Sequence, residues 1–340
     1  MFVINTRNVN SALSEGIHLI STLGEPIESR VGTTLEVPEP VTTVYRRPWE
    51  RVLLSSTRDA NPFFHLMESM WILAGRKDVG FLTEFNKRMV DYSDDGEVFN
   101  APYGHRIREG VQTEWKDYHD QLAQIINILS KDPNSRQAVI QIWDDKDLML
   151  LTKDKACNMS VVFSVRNNNL NMTVYNRSND MIWGAYGANA VQFSIIQEYV
   201  AACLNVSIGT YTQVSNSYHV YLDGPGGVVW NKISKHYTSG ANLYDSIIKN
   251  KVIMCNEDIP RIDYDLATFF NAYDLFGIDE LGEMRCWESD YFNELVMPML
   301  CLYLIYKHNG AKEAIKYIKS VKADDWSLGC AYWLHNRKDK

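Results

Sequence analysis

Residues 156–180, ACNMSVVFSVRNNNLNMTVYNRSND, decide how this chain is read. Met159, Val161, Phe163 and Val165 alternate with their neighbours, and Leu170, Met172 and Val174 alternate again beyond Asn167-Asn168-Asn169. A period of two on both sides of an asparagine turn predicts an antiparallel hairpin, because successive side chains of a strand face opposite sides of the sheet. Ala138, Ile140 and Ile142 supply a further strand upstream. The polar residues gather at the hairpin's open end, with Cys157 at the start of its first strand and Arg177 and Ser178 after its second.

Outward from the hairpin the period becomes helical. Upstream, Leu13, Ile17, Ile20 and Leu23 follow a cap at Asn10 or Ser11 and stop at Gly24. Asn61-Pro62 opens a second helix whose apolar face holds Phe63, Met67, Met70, Trp71 and Ala74, with Glu68 inside that face. A third runs from Tyr118 to Leu129 and ends at Lys131-Asp132-Pro133-Asn134. Downstream, Ala190, Phe193, Ile196, Tyr199 and Val200 predict a helix over 189–204, and 208–221 reads as extended. Asp223-Gly224-Pro225-Gly226-Gly227 breaks the pattern, and helices are expected at 265–276, 291–308, 311–322 and 325–337. The class is α+β, with a first unit over 1–225 and a mostly helical extension over 226–340.

Composition removes several functions. With 46% hydrophobic and 22% charged residues over 340 positions, the chain is neither disordered nor fibrous. A formal charge of −8 argues against a bulk electrostatic hold on a polynucleotide and leaves room for a small anion gripped by a few arginines. The six cysteines are scattered without a C-x-x-C pair, and Met1–Arg7 lacks a signal-like pattern, so reduced thiols in a cytoplasm are expected. The longest apolar run, 295–306, contains Pro298 and is too short for a bilayer, so no membrane partner is expected.

Arg177 and Ser178 offer a guanidinium fork and a hydroxyl, a pair suited to a phosphate, and a cation beside Cys157 lowers its thiol pKa. A lone cysteine is usually a small buried hydrophobe, and that reading serves the other five. The polar company of Cys157 makes it the candidate nucleophile.

Several spaced motifs now stand in one order. They are Met67-Glu68-Ser69-Met70-Trp71, Ala101-Pro102-Tyr103-Gly104, Asp132-Pro133-Asn134-Ser135-Arg136, Ala156-Cys157-Asn158, Tyr175 through Asp180, Gly184 through Asn189, and His219-Val220-Tyr221. In them the chain, from about Arg30 to Tyr221, resembles the thymidylate synthase family, in particular its phage-like branch that includes pyrimidine nucleotide hydroxymethylases. The resemblance implies a mixed sheet flanked by helices, a homodimer, and one-carbon transfer from methylenetetrahydrofolate to C5 of a pyrimidine nucleotide without a metal. It also implies roles. Cys157 attacks C6 of the base, Glu68 handles protons, Tyr103 stands near removal of the C5 proton, and Asn189 reads N3 and O4. As a helix opener, Asn189 also reads as an N-cap. Arg30, Arg177 and Ser178 hold the 5′-phosphate, and Arg136 reaches the same phosphate in the partner subunit. His219 and Tyr221 contact the ribose hydroxyl, Asp180 and Gly184 border base and folate, and Trp183 and Val90 lie on the folate side.

The departures from the family pattern bear on the product. Ala156 replaces a proline, Asn158 a histidine and Gln137 an arginine. One extra residue separates Gly184 from Asn189, so a gapless count puts Ala188 in the base-reading place. No tryptophan lies between Trp71 and Trp115, where Met89-Val90-Asp91-Tyr92 stands, and the last residues, Asn336–Lys340, are polar. Both changes favour water over hydride at the final step, so 5-hydroxymethyl-dUMP is the expected product. Formation of dTMP, hydroxymethylation of dCMP or CMP, and a cysteine hydrolase using Cys157 with His219 are the alternatives. Residues after 228 are left with three readings: core packing, dimer contact or a cover for the folate cleft.

Overall fold

The structure is a computed structural model that describes residues 1–29, 32–109 and 120–338. Among them eight strands form one sheet: β1 (Phe2–Thr6), β2 (Glu25–Ser29), β3 (Gly32–Val37), β4 (Val41–Tyr45), β5 (Val139–Gln141), β6 (Asn158–Arg166), β7 (Asn169–Asp180) and β8 (Ser207–Tyr221). Their order is β1-β4-β8-β7-β6-β5, with the β2–β3 hairpin joined to β8 through β3. β6 and β7 are antiparallel, β7 and β8 parallel, and β4 and β3 run antiparallel along successive halves of β8. The sheet is therefore mixed.

The central hairpin turns on Asn167 and Asn168, both left-handed at φ 50° and 59°. Asparagine tolerates that region, and a two-residue turn of this hand matches the twist of the strands it joins. β7 continues past Val174 to Asp180, so Arg177 and Ser178 lie on the strand and not beyond it. A register shift between β7 and β8 at Leu170/Met172 opens the ladder. Gln197 closes it, donating to the Leu170 and Thr210 carbonyls at 2.8 and 3.1 Å.

Two helices form the layer that carries chemistry. Pro62–Leu73 is buried at every position and Asn189–Cys203 at nearly every one, so each is surrounded by protein where the sequence showed an apolar face. Asn61 caps the first through the Phe64 N–H, with Pro62 inside the first turn. At the amino terminus the helix Val9–Leu23 is capped two residues earlier than expected, by Asn8, whose side chain accepts from Asn10 and Ser11. The helix expected from Tyr118 is described from Gln121 to Lys131, with Asp120 as its cap; Tyr118 lies outside the described residues.

The glycine-rich break at 223–227 ends β8 and at once starts another helix, Gly224–His236, with Gly224 at φ 59°. Beyond it the chain packs against the core. Arg51 forms a buried ion pair with Glu198, whose other oxygen accepts the Met254 N–H at 2.9 Å. The Tyr244 hydroxyl donates to Val52 O and to Asp325, both at 3.3 Å. The helix Asp324–His335 lies against Pro62–Leu73, and after it Arg337 meets both carboxylate oxygens of Asp59 at 2.9 and 3.2 Å. The last turns thus back the helix that holds Glu68.

Candidate active site

Cys157 is the residue before β6, half-buried. The β6–β7 register sets Asn158 opposite Asn176, which brings the next residue on β7, Arg177, to its side. Arg177 donates from Nε to Ala156 O at 2.8 Å and from Nη2 to Lys155 O at 3.0 Å, and its own N–H reaches Cys157 O at 3.0 Å. Nη2 also stands 3.8 Å from Cys157 Sγ, and the guanidinium lies 5.3 Å from the Trp143 ring centroid. A permanent cation at that distance stabilises a thiolate over a thiol. Burial, and then the negative charge of a Cys157 thiolate, hold the Tyr103 pKa well above the ordinary phenol value. Asn158 turns its amide onto Asn176 and keeps Oδ1 buried with no partner among the described residues.

The extra residue between Gly184 and Asn189 is absorbed in a wide turn. Residues 181–188 wind as a π-helix, with Tyr186 and Gly187 outside helical φ/ψ and the Asn189 N–H bonded to Gly184 O, five residues back. Such bulges hold one residue more than an α-turn. Asn189 consequently caps nothing; its Nδ2 points to Asn179 Oδ1 at 3.4 Å. Asn179 in turn donates to Gln213 Oε1 and Ser215 Oγ on β8, both at 3.0 Å. Gly184 is required here, since a Cβ would stand 2.6 Å from Asn179 Oδ1.

Glu68 occupies the other side. It is buried, its pKa is raised to about 8 by desolvation, and the one influence in the opposite direction comes from the Gln192 side chain. Glu68 Oε2 and Gln192 Oε1 are both buried without a partner among the described residues. His65, one turn earlier, has its pKa lowered to about 3 by burial and then by Arg58, so it is neutral. Arg58 is itself buried, which lowers its pKa to about 10; it donates to Ile182 O at 2.8 Å and covers the Trp183 ring at 4.7 Å. Asp180 Oδ1 accepts from the Ile182 and Trp183 N–H groups at 2.7 and 2.5 Å, while Oδ2 is buried and unpartnered and burial raises the carboxyl's pKa. Across the strand pair Asp180 faces His219, whose Nδ1 lies 3.2 Å from Ser217 Oγ and whose ring meets Tyr221 edge-on at 5.3 Å.

Not every expected residue joins this group. Arg136 is exposed at the entry to β5, Val90 is 43% exposed on a short 3-10 turn over 87–92, and Arg30 lies outside the described residues. Sequence reasoning missed Arg58, His65 and Gln192. For Gln192 a signal existed: an amide three residues after Asn189 in an otherwise apolar run stays on the same helix face. Among the described residues no group of three or more His, Cys, Asp or Glu is placed to hold a metal, and no helix is long and apolar enough to cross a membrane.

A half-buried cysteine beside a guanidinium at the end of a sheet, with a glutamate of raised pKa buried on a helix of the same fold, is the kind of residue set that nucleophilic enzymes carry. The thymidylate synthase family pattern matches residues 15–269, and the chain belongs to that family. Among its relatives, a deoxyuridylate hydroxymethyltransferase of Pseudomonas phage M6 is 38% identical over 353 aligned positions, covering 99% of this chain and 95% of that protein. One of the same description from Bacillus phage SP01 is 39% identical over 256 positions, covering 73% and 66%. A thymidylate synthase of Symbiobacterium thermophilum is 29% identical over 164 positions, 45% of this chain and 57% of its own.

Proposed function

We propose that the protein converts dUMP to 5-hydroxymethyl-dUMP, with methylenetetrahydrofolate as one-carbon donor. The observation that carries the chemistry is the Arg177 guanidinium 3.8 Å from Cys157 Sγ. A sulfur held as thiolate adds to C6 of uracil, and the electron pair of the C5–C6 bond then makes C5 nucleophilic with charge on O4. The inward amide of Asn189 suits N3–H and O4, being both acceptor and donor. Tyr103, a neutral phenol beside the nucleophile, is suited to relay the C5 proton. Arg177, Ser178 and Arg30 serve the phosphate, and His219 with Tyr221 serve the ribose.

The residues fit a reduced folate. Asp180 Oδ2, Arg58 Nε and Glu68 Oε2 are buried polar atoms without partners among the described residues, and half-exposed Trp183 offers a flat apolar surface. The folate supplies a carbon at the formaldehyde level. Glu68, protonated below about pH 8, can donate to the departing nitrogen and afterwards act as a base. The exposed, tryptophan-free turn at 87–92 leaves the exocyclic methylene on the base open to water, which favours the hydroxymethyl product over dTMP.

A homodimer completes the reading. The outward face of β5–β7 carries Val139 opposite Val162 and Tyr175 opposite Ser160, beside exposed Arg136. Light scattering on wild type and mixing of Arg136→Ala with Cys157→Ala test it: a dimer whose sites share Arg136 regains activity on mixing, and separate sites do not. For the chemistry, tritium leaves C5-labelled dUMP with wild type and folate but not with Cys157→Ala, and labelled dCMP is a poorer substrate. Equal release from Cys157→Ala would refute the covalent step.

A further inference from the structure

The final step of the proposed reaction needs a water aimed at the methylene carbon, and the residues assigned so far leave its orientation to Glu68 alone. A water attacks through a lone pair, which requires both of its O–H bonds to be accepted elsewhere. Two buried acceptors without partners among the described residues belong to the helices Pro62–Leu73 and Asn189–Cys203, which pack on each other: Glu68 Oε2 and Gln192 Oε1. Gln192 is 3% exposed, and its side chain favours the ionised form of the Glu68 carboxyl. It is one turn beyond Asn189 on the same helix, hence on the side that faces the base. Phe193, next to it, packs on Tyr103 with ring centroids 6.2 Å apart, so this part of the helix borders the reacting carbons.

We propose that Gln192 is a positioning residue for water capture: its carbonyl oxygen takes the second hydrogen of the water that Glu68 deprotonates. The inference rests on the hydroxymethylation reading above. The water oxygen bonds to the methylene carbon as its proton passes to Glu68 Oε2. The electrons of the exocyclic double bond move onto O4 as an enolate, and collapse of that enolate re-forms C5=C6 and breaks the C6–S bond to release the Cys157 thiolate. Electrons and atoms balance with water as the only added reactant. Burial and Gln192 are the two influences on the Glu68 carboxyl, and His65 from its own helix is neutral.

Gln192→Met keeps the side-chain volume and removes both the donor and the acceptor. Tritium release from C5-labelled dUMP, which precedes water capture, stays within about threefold of wild type and certifies the fold. Hydroxymethyl-dUMP output falls about tenfold or more, and added 2-mercaptoethanol collects the methylene as a C5 thioether. The pH limb of product formation also moves upward, because Glu68 loses the side chain that favours its ionised form. Gln192→Glu, which retains an acceptor and, when protonated, a donor, restores capture by water over capture by thiol. Product and tritium falling in parallel, or no rise in thioether, overturns the inference. Wild type that releases tritium yet makes no hydroxymethyl nucleotide overturns the underlying reading instead.

Discussion

The two sides of the cleft are finished to different degrees. Around Cys157 the chain meets most of its own needs: Arg177 donates to Ala156 and Lys155 and still reaches the sulfur, and Asn158 Oδ1 alone of that segment's side-chain atoms stays buried without a partner among the described residues. On Glu68, Gln192, Asp180 and Arg58, by contrast, polar atoms stay buried without a partner among the described residues. A buried polar atom without a partner costs roughly 1–3 kcal/mol. Such a cost is tolerated where a ligand or a water supplies the missing partner. The nucleophile is prepared by the fold, whereas the opposite wall is prepared for what binds.

Substitutions can break this contrast, beginning with the nucleophile. Cys157→Ala removes tritium release by at least about a thousandfold, since nothing else in the cleft adds to C6. Arg177→Lys leaves a charge but loses the planar fork that holds Ala156 and Lys155 in place, and release falls about tenfold to a hundredfold in the same assay. Across the cleft the sharper readout is stability. Folded Glu68 keeps its proton up to about pH 8, and an unfolded glutamate loses it near 4.5, so stability declines as pH rises through that window. Glu68→Gln abolishes the decline: thermal melts of the two proteins agree near pH 4.5, and the variant is more stable at pH 8 by on the order of a few kcal/mol. The smallest effect lies behind the wall. Arg337→Ala severs the partly exposed pair with Asp59 and costs about 0.5–1 kcal/mol in urea unfolding.

The hairpin was legible because its signal is local: alternation on both sides of an asparagine turn leaves one arrangement. The caps at Asn61 and Gly24 were local too. Asn8 was overlooked in favour of Asn10 and Ser11 because a cap is chosen by backbone geometry as well as by residue type. The length of β7 was underread, since Asn176 to Asp180 are polar and their strand state comes from pairing with β8. Asn189 is singled out by the resemblance alone. The π-turn that delivers it to Asn179 depends on Gly184 and on the wall behind it, which periodicity does not report. Arg58 and His65 acquire their character from burial under the extension and the Trp183 segment, a tertiary effect. Of the three readings for residues after 228, packing against the core is what Met254–Glu198, Tyr244–Val52 and Arg337–Asp59 display.

Thiolate attack followed by capture of the methylene by water is the central claim, and the products of a single incubation test it. With dUMP and methylenetetrahydrofolate, mass spectrometry is expected to find a nucleotide heavier than dUMP by one hydroxymethyl group in place of hydrogen, with the folate released as tetrahydrofolate. A nucleotide bearing a methyl group, accompanied by dihydrofolate, would contradict it.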